Sequence, residues 1–209
     1  MSKRLIIGIS GASGAVYGVR ALDMLAELGV ETHLVLTKAA ELTLASEGLP
    51  NSTALKSRAS YVHKIADVGA SIASGSFKTD GMLIAPCSVR TMGEIATGVT
   101  SNLLTRAADV QLKERRRVVL MLRETPYHLG HIRTMAAVTE MGGIIFPPVP
   151  SFYHRPQTIA EMVDHSVGRV LDLLGLPQAS APRWPGLKAA DSHPELGSCH
   201  PGLDPGSSA

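Results

Sequence analysis

Short apolar runs alternate with amphipathic segments along the chain, and the first of them predict a βαβ unit. The run Arg4–Ile9 is apolar after its first residue and rich in isoleucine, which is typical of a buried strand. Beyond a glycine-rich turn, apolar side chains recur every three residues, as on one face of a helix that Gly29 ends. Residues 32–37 predict a second strand. Because these elements fit within about 35 residues, we expect the two strands to be parallel with a right-handed crossover.

The same patterns continue to residue 174 and predict an α/β fold, with a parallel sheet flanked by helices. Further strands are predicted at residues 81–85, 118–122 and 144–146, the first of them ending at Pro86. Further helices are predicted within residues 39–56, 101–116, 129–141 and 158–174. From residue 177 onward, six prolines and several glycines and serines leave little to pack. We therefore expect a single domain over residues 1–184 and a disordered tail over residues 185–209.

Composition narrows the classes of function. A formal net charge of +2 gives no support for nucleic-acid binding, which requires a strongly basic face. No run of about 18 apolar residues is present and the apolar start is too short for a signal peptide, so no membrane span is predicted. Cys87 and Cys199 have neither metal-ligand spacing nor a disulfide pattern, which predicts a cytoplasmic protein without a metal. A charged fraction of only 18% favours burial of surface between subunits of a homo-oligomer.

The glycine-rich turn at residues 8–14 is a candidate phosphate-binding loop. Its sequence, Gly-Ile-Ser-Gly-Ala-Ser-Gly, leads into a helix N-terminus, where unpaired N–H groups attract an anion. Ser10 and Ser13 are expected to add hydroxyl donors, and the alternative is a tight turn without a ligand. The spacing matches neither a P-loop nor G-x-G-x-x-G. The second strand ends without the carboxylate that holds a dinucleotide ribose, so NAD is disfavoured and a mononucleotide such as FMN remains open.

Polar side chains also follow the other predicted strands, whose ends share one edge of a parallel sheet. They are Thr37 after the second strand, Ser88, Arg90 and Thr91 after the third, and Arg123 with Glu124 after residues 118–122. Taken singly, each hydroxyl is more typical of a helix N-cap, and Arg123 with Glu124 is as typical of a salt bridge. A carboxylate at this edge can act as an acid or a base if burial raises its pKa.

Two cations on the predicted helix at residues 101–116 are candidates for a second phosphate. Arg106 and Lys113 are seven residues apart and share a face, although Asp109 lies between them as in an ordinary ion-pair stripe. Two further candidates are Tyr153, on a proline-flanked loop, and Arg169, on the last helix. The alternative is that each is an ordinary exposed surface residue.

Five motifs, in this order, resemble one family. They are Gly8-x-Ser-Gly-Ala-Ser-Gly-Ala15, Pro86-Cys-Ser-x-x-Thr91, Arg106-Ala-Ala-Asp-Val110 with Lys113-Glu-Arg-Arg116, Arg123-Glu-Thr-Pro126 and Phe152-Tyr153. From about residue 4 to Trp184 the chain is similar to the flavin prenyltransferases of the UbiX type. It departs from the family pattern at Arg90 and Ser101, where the family often has lysine and aspartate.

The resemblance implies a Rossmann-like (flavodoxin-like) fold and a homo-oligomeric flavoprotein. It implies a homododecamer with active sites at subunit junctions, and a metal-independent prenyltransferase. Such an enzyme transfers a dimethylallyl group from dimethylallyl phosphate to N5 and C6 of reduced FMN. The product, prenylated FMN, serves a UbiD-type decarboxylase in ubiquinone biosynthesis or aromatic acid decarboxylation.

By position, the resemblance also assigns site residues. FMN binding is assigned to Gly11, Ala12, Ser13, Thr37, Ser88, Val89, Arg90, Thr91 and Arg123. Binding of the prenyl phosphate is assigned to Arg106, Lys113, Tyr153 and Arg169, some of them from neighbouring subunits. Catalytic roles are assigned to Ser13, Glu47, Lys113 and Glu124, with Glu124 the better candidate acid, while Trp184 matches an aromatic residue that covers the pocket.

Two alternatives to this function are an FMN-dependent enzyme like the cysteine decarboxylases and a non-catalytic flavin-binding protein. The first requires a histidine after the first helix, and His33 lies too early, on the second strand. The second gives no reason for the cations and the carboxylate to occur together.

Overall fold

The computed structural model describes residues 3–176, which form a parallel sheet flanked by helices. The strands are β1 (Arg4–Ile9), β2 (Glu31–Leu36), β3 (Tyr61–His63), β4 (Gly81–Cys87), β5 (Val118–Leu122) and β6 (Ile144–Ile145). The helices are α1 (Ala15–Glu27), α2 (Lys38–Ser46), α3 (Ser52–Lys56), α4 (Val89–Ala96), α5 (Leu103–Lys113), α6 (Leu129–Glu140) and α7 (Ile159–Leu173). Within residues 3–176, no helix has the length and apolar character needed to cross a membrane. Trp184, the domain limit at residue 184 and the tail at 185–209 lie outside the described residues, so those expectations stay predictions.

The strands pair in the order β3-β2-β1-β4-β5-β6, and every pair is parallel. The order reverses between β1 and β4, which is the switch point where open α/β sheets bind ligands. Because all strands run in one direction, their ends meet at one edge of the sheet, which we call the carboxyl edge. Their starts meet at the opposite edge, the amino edge. Ligand chemistry is therefore expected in the loops that follow β1, β2, β4 and β5.

Helices cover both faces of the sheet because the central strands are apolar on both faces. Alternate side chains of β1 show this: Leu5 and Ile7 pack with α1 and α7 on one face, whereas Ile6 packs with α4 and α5 on the other. Central β4 and β5 are buried along their whole length. The loops of the carboxyl edge therefore extend from strands that are fixed by packing on both faces.

The predicted elements are present, with their ends within about three residues of those expected. The pattern missed β3 and the eight-residue helix α4. The prediction that the third strand ends at Pro86 is wrong, since β4 continues to Cys87. The pairing with β5 shifts its register between Ile84 and Cys87, so the missing N–H of Pro86 falls at an irregularity of the ladder.

A glycine at position 18 brings α1 close to the sheet. A Cβ there would be 2.3 Å from the carbonyl oxygen of Ala85 and 2.6 Å from Cδ1 of Ile9, so no larger residue fits without displacing the helix. This close approach fixes the N-terminus of α1 above the switch point.

Candidate functional site

The turn between β1 and α1 presents backbone donors at the carboxyl edge. Gly11 and Ser13 are exposed, and the N–H groups of residues 11–13 have no hydrogen-bond partner in the described part of the chain. Gly14 has a φ of 94°. A Cβ at Gly11 would be only 2.4 Å from Cβ of Ala39. Both glycines are therefore needed for a turn whose donors stay open to an anion.

Ser10 has a structural role instead of the predicted ligand role. Its hydroxyl donates to the carbonyl oxygen of Pro86 at 2.9 Å and accepts from the N–H of Ser88 at 2.8 Å. The residue is only 1% exposed. The expectation that Ser10 offers a hydroxyl to a ligand is wrong, because its hydrogen bonds are made within the protein. Ser10 instead ties the turn after β1 to the loop after β4.

Glu47 binds the N-terminus of α1. Its carboxylate accepts from the N–H of Gly14 at 2.7 Å and from the N–H of Ala15 at 2.9 Å, and the residue at the N-cap position provides no side-chain cap of its own. A negative charge at this end of a helix is stabilised by the helix dipole. The first donors of α1 are therefore taken by an internal anion, and a ligand phosphate must use other groups. The catalytic role assigned to Glu47 stays a prediction beside this capping role.

Two further helix N-termini, those of α2 and α4, open at the carboxyl edge. Thr37 and Ser88 are their N-caps, and each hydroxyl accepts from the N–H three residues later, at 3.0 Å and 3.2 Å respectively. The N-cap interpretation of both hydroxyls is thus confirmed. The N–H groups of residues 38–39 and 89–90, in the first turns, have no acceptor within their helices. These donors lie beside the open turn and can hold a phosphate at the switch point.

The remaining residues assigned to FMN in this loop differ in exposure. Thr91 is 6% exposed and its hydroxyl accepts from that of Ser88 at 3.1 Å. Val89 is half-buried. Arg90 has a side chain that is 83% exposed and pairs with Glu94 at 3.1 Å. Arg90 therefore extends into solvent, whereas Thr91 supports the loop from within.

Arg123 and Glu124 follow β5 at the same edge. The N–H of Arg123 donates to the carbonyl oxygen of Cys87 at 3.1 Å, which holds the two strand-end loops side by side. Glu124 is half-buried, and its Oε1 accepts from the N–H of Thr125 at 3.1 Å. The salt bridge considered between Arg123 and Glu124 is not formed, so the exposed guanidinium is open to a ligand. Among residues 3–176, no group of three His, Cys, Asp or Glu residues could hold a metal ion.

Arg106 lies near the start of α5, at the end of the helix that approaches the carboxyl edge. The neighbouring Leu104 packs so closely on β1 that a Cβ at Gly8 would be 3.1 Å from Cδ1 of Leu104. Arg106 makes an ion pair with Asp109 at 2.8 Å, and both side chains are more than a third exposed. The ion-pair stripe considered for this helix is therefore present, and it leaves Arg106 accessible.

Lys113 lies at the opposite end of α5, near the amino edge. It pairs with Glu114, and both side chains contact the position where a Cβ on Gly75 would stand, in the segment that leads into β4. Seven residues of helix separate Lys113 from Arg106 by about 10 Å. Lys113 is thus remote from the open turn of its own chain.

Arg169 is also displaced toward the amino edge. It lies four residues before Leu173, whose carbonyl oxygen accepts from Arg117 at 2.8 Å close to the start of β5. Its guanidinium pairs with Asp172 at 2.9 Å. One chain therefore does not bring Arg169 or Lys113 to the donors of its own carboxyl edge.

Tyr153 lies on the loop between β6 and α7 and is 50% exposed. Its ring centroid is 3.9 Å from that of His154 and 6.0 Å from that of His165. The sequence pattern did not predict that these two histidines contact Tyr153, because the burial of His165 depends on how this loop folds over α7.

Three comparisons find known proteins that are similar to most of this chain. A family model described as Flavoprotein matches residues 1–170. Flavin prenyltransferase UbiX from Neisseria meningitidis serogroup B is 56% identical over 187 residues, which cover 90% of this chain and 99% of that protein. The crystal structure of AnUbiX (PadA1) in complex with FMN and dimethylallyl pyrophosphate has a TM-score of 0.88 at 45% identity, covering 89% of this chain and 99% of that one. A dodecameric FMN-dependent UbiX-like decarboxylase from Escherichia coli O157:H7 has a TM-score of 0.85 at 44% identity, covering 88% of this chain and 100% of that one.

These similarities extend over nearly the whole described chain and include both edges of the sheet. They confirm the predicted Rossmann-like, flavodoxin-like fold. They also confirm the resemblance on which the predicted site residues depend. The chain belongs to the flavin prenyltransferase family of the UbiX type.

Proposed function

We propose that this protein transfers a dimethylallyl group from dimethylallyl phosphate to N5 and C6 of reduced FMN and releases prenylated FMN and phosphate. Membership of the family confirms the predicted flavin prenyltransferase function, with FMN as the flavin. The observation that carries the proposal for this site is the meeting of an open glycine turn and two helix N-termini at the switch point of the sheet. The alternatives, a cysteine-decarboxylase-like enzyme and a non-catalytic flavin-binding protein, are not favoured by this membership.

In this proposal the carboxyl edge holds FMN. The N–H groups of residues 38–39 and 89–90 neutralise its phosphate, with help from the exposed guanidinium of Arg123. The open turn at residues 11–13 and the half-buried Val89 line the flavin. When bound, reduced FMN supplies the electron-rich N5 and C6 atoms that accept the prenyl group.

Three cations, Arg106, Lys113 and Arg169, hold the prenyl phosphate and stabilise its departure. When the allylic C–O bond breaks, its electron pair leaves with the phosphate, and positive charge develops on the allyl group. Cations that meet the growing negative charge lower the barrier to this step. Each of the three is now paired with a carboxylate: Arg106 with Asp109, Lys113 with Glu114 and Arg169 with Asp172. The pairs of Arg106 and Lys113 are partly exposed and are worth only about 0–1 kcal/mol each, so a phosphate dianion can replace Asp109 and Glu114.

Glu124 and Ser13 are the proposed proton carriers. Glu124 stands at the carboxyl edge, half-buried, where it can protonate the departing phosphate or accept the proton that leaves the flavin as a new bond to carbon forms. The exposed hydroxyl of Ser13 adds a donor and acceptor beside the flavin position. Glu124→Gln is expected to keep FMN bound and to slow turnover by about 10²- to 10⁴-fold.

Part of each site comes from a neighbouring subunit in this proposal. The positions of Lys113 and Arg169 toward the amino edge support it, because their own carboxyl edge lies at the far end of the helices that carry them. We propose a homododecamer, the assembly of the Escherichia coli relative, and a UbiD-type decarboxylase as recipient of the product. The cytoplasmic location stays a prediction.

Anaerobic incubation with reduced FMN and dimethylallyl phosphate tests the chemistry. Mass spectrometry is expected to find a flavin that is heavier by one five-carbon isoprenoid unit, and less of it with Glu124→Gln. A parallel reaction with dimethylallyl diphosphate decides which donor the site prefers. Unchanged flavin mass, with FMN bound and the oligomer intact, would refute the transferase proposal.

Mixing two inactive variants tests whether Lys113 acts in a neighbouring subunit. Ser13→Ala and Lys113→Ala oligomers are dissociated, mixed in equal amounts and reassembled. If the two residues of one site come from different chains, about a quarter of the sites regain both. The matched control mixes Ser13→Ala with Glu124→Ala, which lie at the same edge of one chain and should not complement. Mixed oligomers that stay inactive in the first mixture would contradict the shared site.

A further inference from the structure

His165 is buried on the side of α7 that faces away from the sheet. The valines of this helix at positions 163, 167 and 170 belong to the core between α7 and the sheet. At 3.6 residues per turn, His165 lies about 160–200° around the helix axis from Val163 and Val167. It is nevertheless only 8% exposed. The cover must come from outside the helix, and it is the loop that joins β6 to α7.

Two aromatic rings of that loop form the cover. The ring of His154 is 3.8 Å from that of His165, centroid to centroid, at an interplanar angle of 49°. The ring of Tyr153 is 3.9 Å from that of His154 and stands at 90° to that of His165. Nε2 of His154 and Nε2 of His165 are buried and have no hydrogen-bond partner within residues 3–176. Ring packing therefore joins the two histidines.

The neutral form of His165 suits this packing. Burial, and then the neighbouring His154 and Arg169, lower the pKa of His165 below its usual value, so the ring carries no charge near neutral pH. Arg169 follows His165 by one helical turn on the same outer face of α7. The histidine pair thus connects Tyr153 with Arg169, the two residues of this region that are assigned to the prenyl phosphate.

We propose that the His154–His165 ring pair is a positioning element, which fixes Tyr153 relative to Arg169 so that both reach one prenyl phosphate. The proposal rests on the proposed function for the roles of Tyr153 and Arg169. Two apolar side chains of the same loop do not pack on α7, since Val149 is 71% and Phe152 is 69% exposed. Loss of the ring contacts would give Tyr153 more freedom before the substrate binds, and the cost of removing that freedom would weaken binding of the substrate.

Steady-state kinetics with reduced FMN and dimethylallyl phosphate test the pair. Loss of an aromatic contact of this kind corresponds to about a 2- to 12-fold change in affinity. We expect His165→Ala to raise the KM for dimethylallyl phosphate by that factor, with kcat within about twofold of wild type and FMN affinity unchanged. His165→Phe keeps a ring without the unpaired nitrogen and is expected to retain the wild-type KM. The matched control is His63→Gln, a ring-stacked histidine of β3 on the far side of the sheet, which should leave the KM unchanged.

A double variant connects the effect to Tyr153. If His165 acts through Tyr153, then His165→Ala combined with Tyr153→Phe raises the KM no further than Tyr153→Phe alone. If His165→Ala does not assemble, His165→Leu, which fills space without a ring, takes its place.

Two results would overturn the positioning role: a wild-type KM in His165→Ala while Tyr153→Phe raises it, or an equal rise in His165→Ala and His165→Phe. A wild-type KM in Tyr153→Phe would instead remove Tyr153 from the prenyl site and contradict its role in the proposed function.

Discussion

Ser10→Ala should loosen the connection between the two loops that are proposed to hold the flavin. Ser10 is buried, and its hydroxyl bonds both to the carbonyl oxygen of Pro86 and to the N–H of Ser88. The carbonyl oxygen of Pro86 keeps a second donor, the N–H of Ser10 at 3.2 Å, so losing the hydrogen bond from the Ser10 hydroxyl costs only about 0.5–1.5 kcal/mol. The N–H of Ser88 loses its partner, at about 1–3 kcal/mol. The two together lower the free energy of unfolding by roughly 1.5–4.5 kcal/mol.

Thermal unfolding and flavin titration measure this effect. For a chain of this size, the expected loss lowers Tm by roughly 3–18 °C. The scans need one protein concentration, because the Tm of an oligomer depends on concentration. FMN affinity should fall by about tenfold, since Ser88 no longer holds the start of α4 against the open turn. Ser46→Ala is the matched control, because that hydroxyl bonds to the exposed carbonyl oxygen of Thr43, and its Tm should stay within about 2 °C of wild type.

A Tm of Ser10→Ala equal to that of Ser46→Ala would refute this account of the two hydrogen bonds. A large fall in Tm with unchanged FMN affinity would show that the bonds stabilise the fold without positioning the flavin loops.

Three further predictions concern stability. Glu47→Gln removes the charge and one of the two acceptors at the N-terminus of α1, so denaturant titration should show a free energy of unfolding that is lower by about 1–2 kcal/mol. Wild-type stability with reduced turnover would instead indicate that Glu47 has only a catalytic role. Gly18→Ala places a Cβ 2.3 Å from a strand carbonyl oxygen and should lower the free energy of unfolding by about 1–3 kcal/mol, whereas Gly93→Ala, in open space on α4, should raise it by up to about 1 kcal/mol. Equal Tm values for the two variants would contradict the close packing of α1. Burial lowers the pKa of His33 and His63 below 6.5, so between pH 6.5 and the lowered values the unfolded chain binds more protons than the folded chain, and stability is lost as the pH falls through that window. Denaturant titrations at about pH 7.5 and about pH 5.5 should show this loss of stability, and His63→Gln should show a smaller one.

The sequence alone predicts the central strands well, because strands that are buried on both faces are written as uninterrupted apolar runs. Val118–Leu122 is predicted with its observed bounds for this reason. β3 escaped because Tyr61–His63 is a short edge strand in which Tyr61 and Val62 are exposed. Its pairing with β2 depends on contacts that no local pattern records.

The order of elements along the sequence also determines which edge of the sheet carries the candidate site. Parallel strands end at one edge, so Ser13, Thr37, Ser88 and Glu124 are predicted there from their positions after successive strands. Only the tertiary structure decides what each group contacts. Glu47 reaches the N-terminus of α1 from 33 residues away, and Ser10 bonds to a loop 78 residues away.

The tertiary structure likewise decides which predicted residues one chain can bring together. Spacing places Lys113 on the face of Arg106, but the direction of α5 carries it toward the amino edge. His165 looks like a surface residue by periodicity, and a loop buries it. Local sequence determines the period and the caps of each element, because these depend on near neighbours. The partners of a side chain depend on how distant segments pack, and packing is a property of the whole fold.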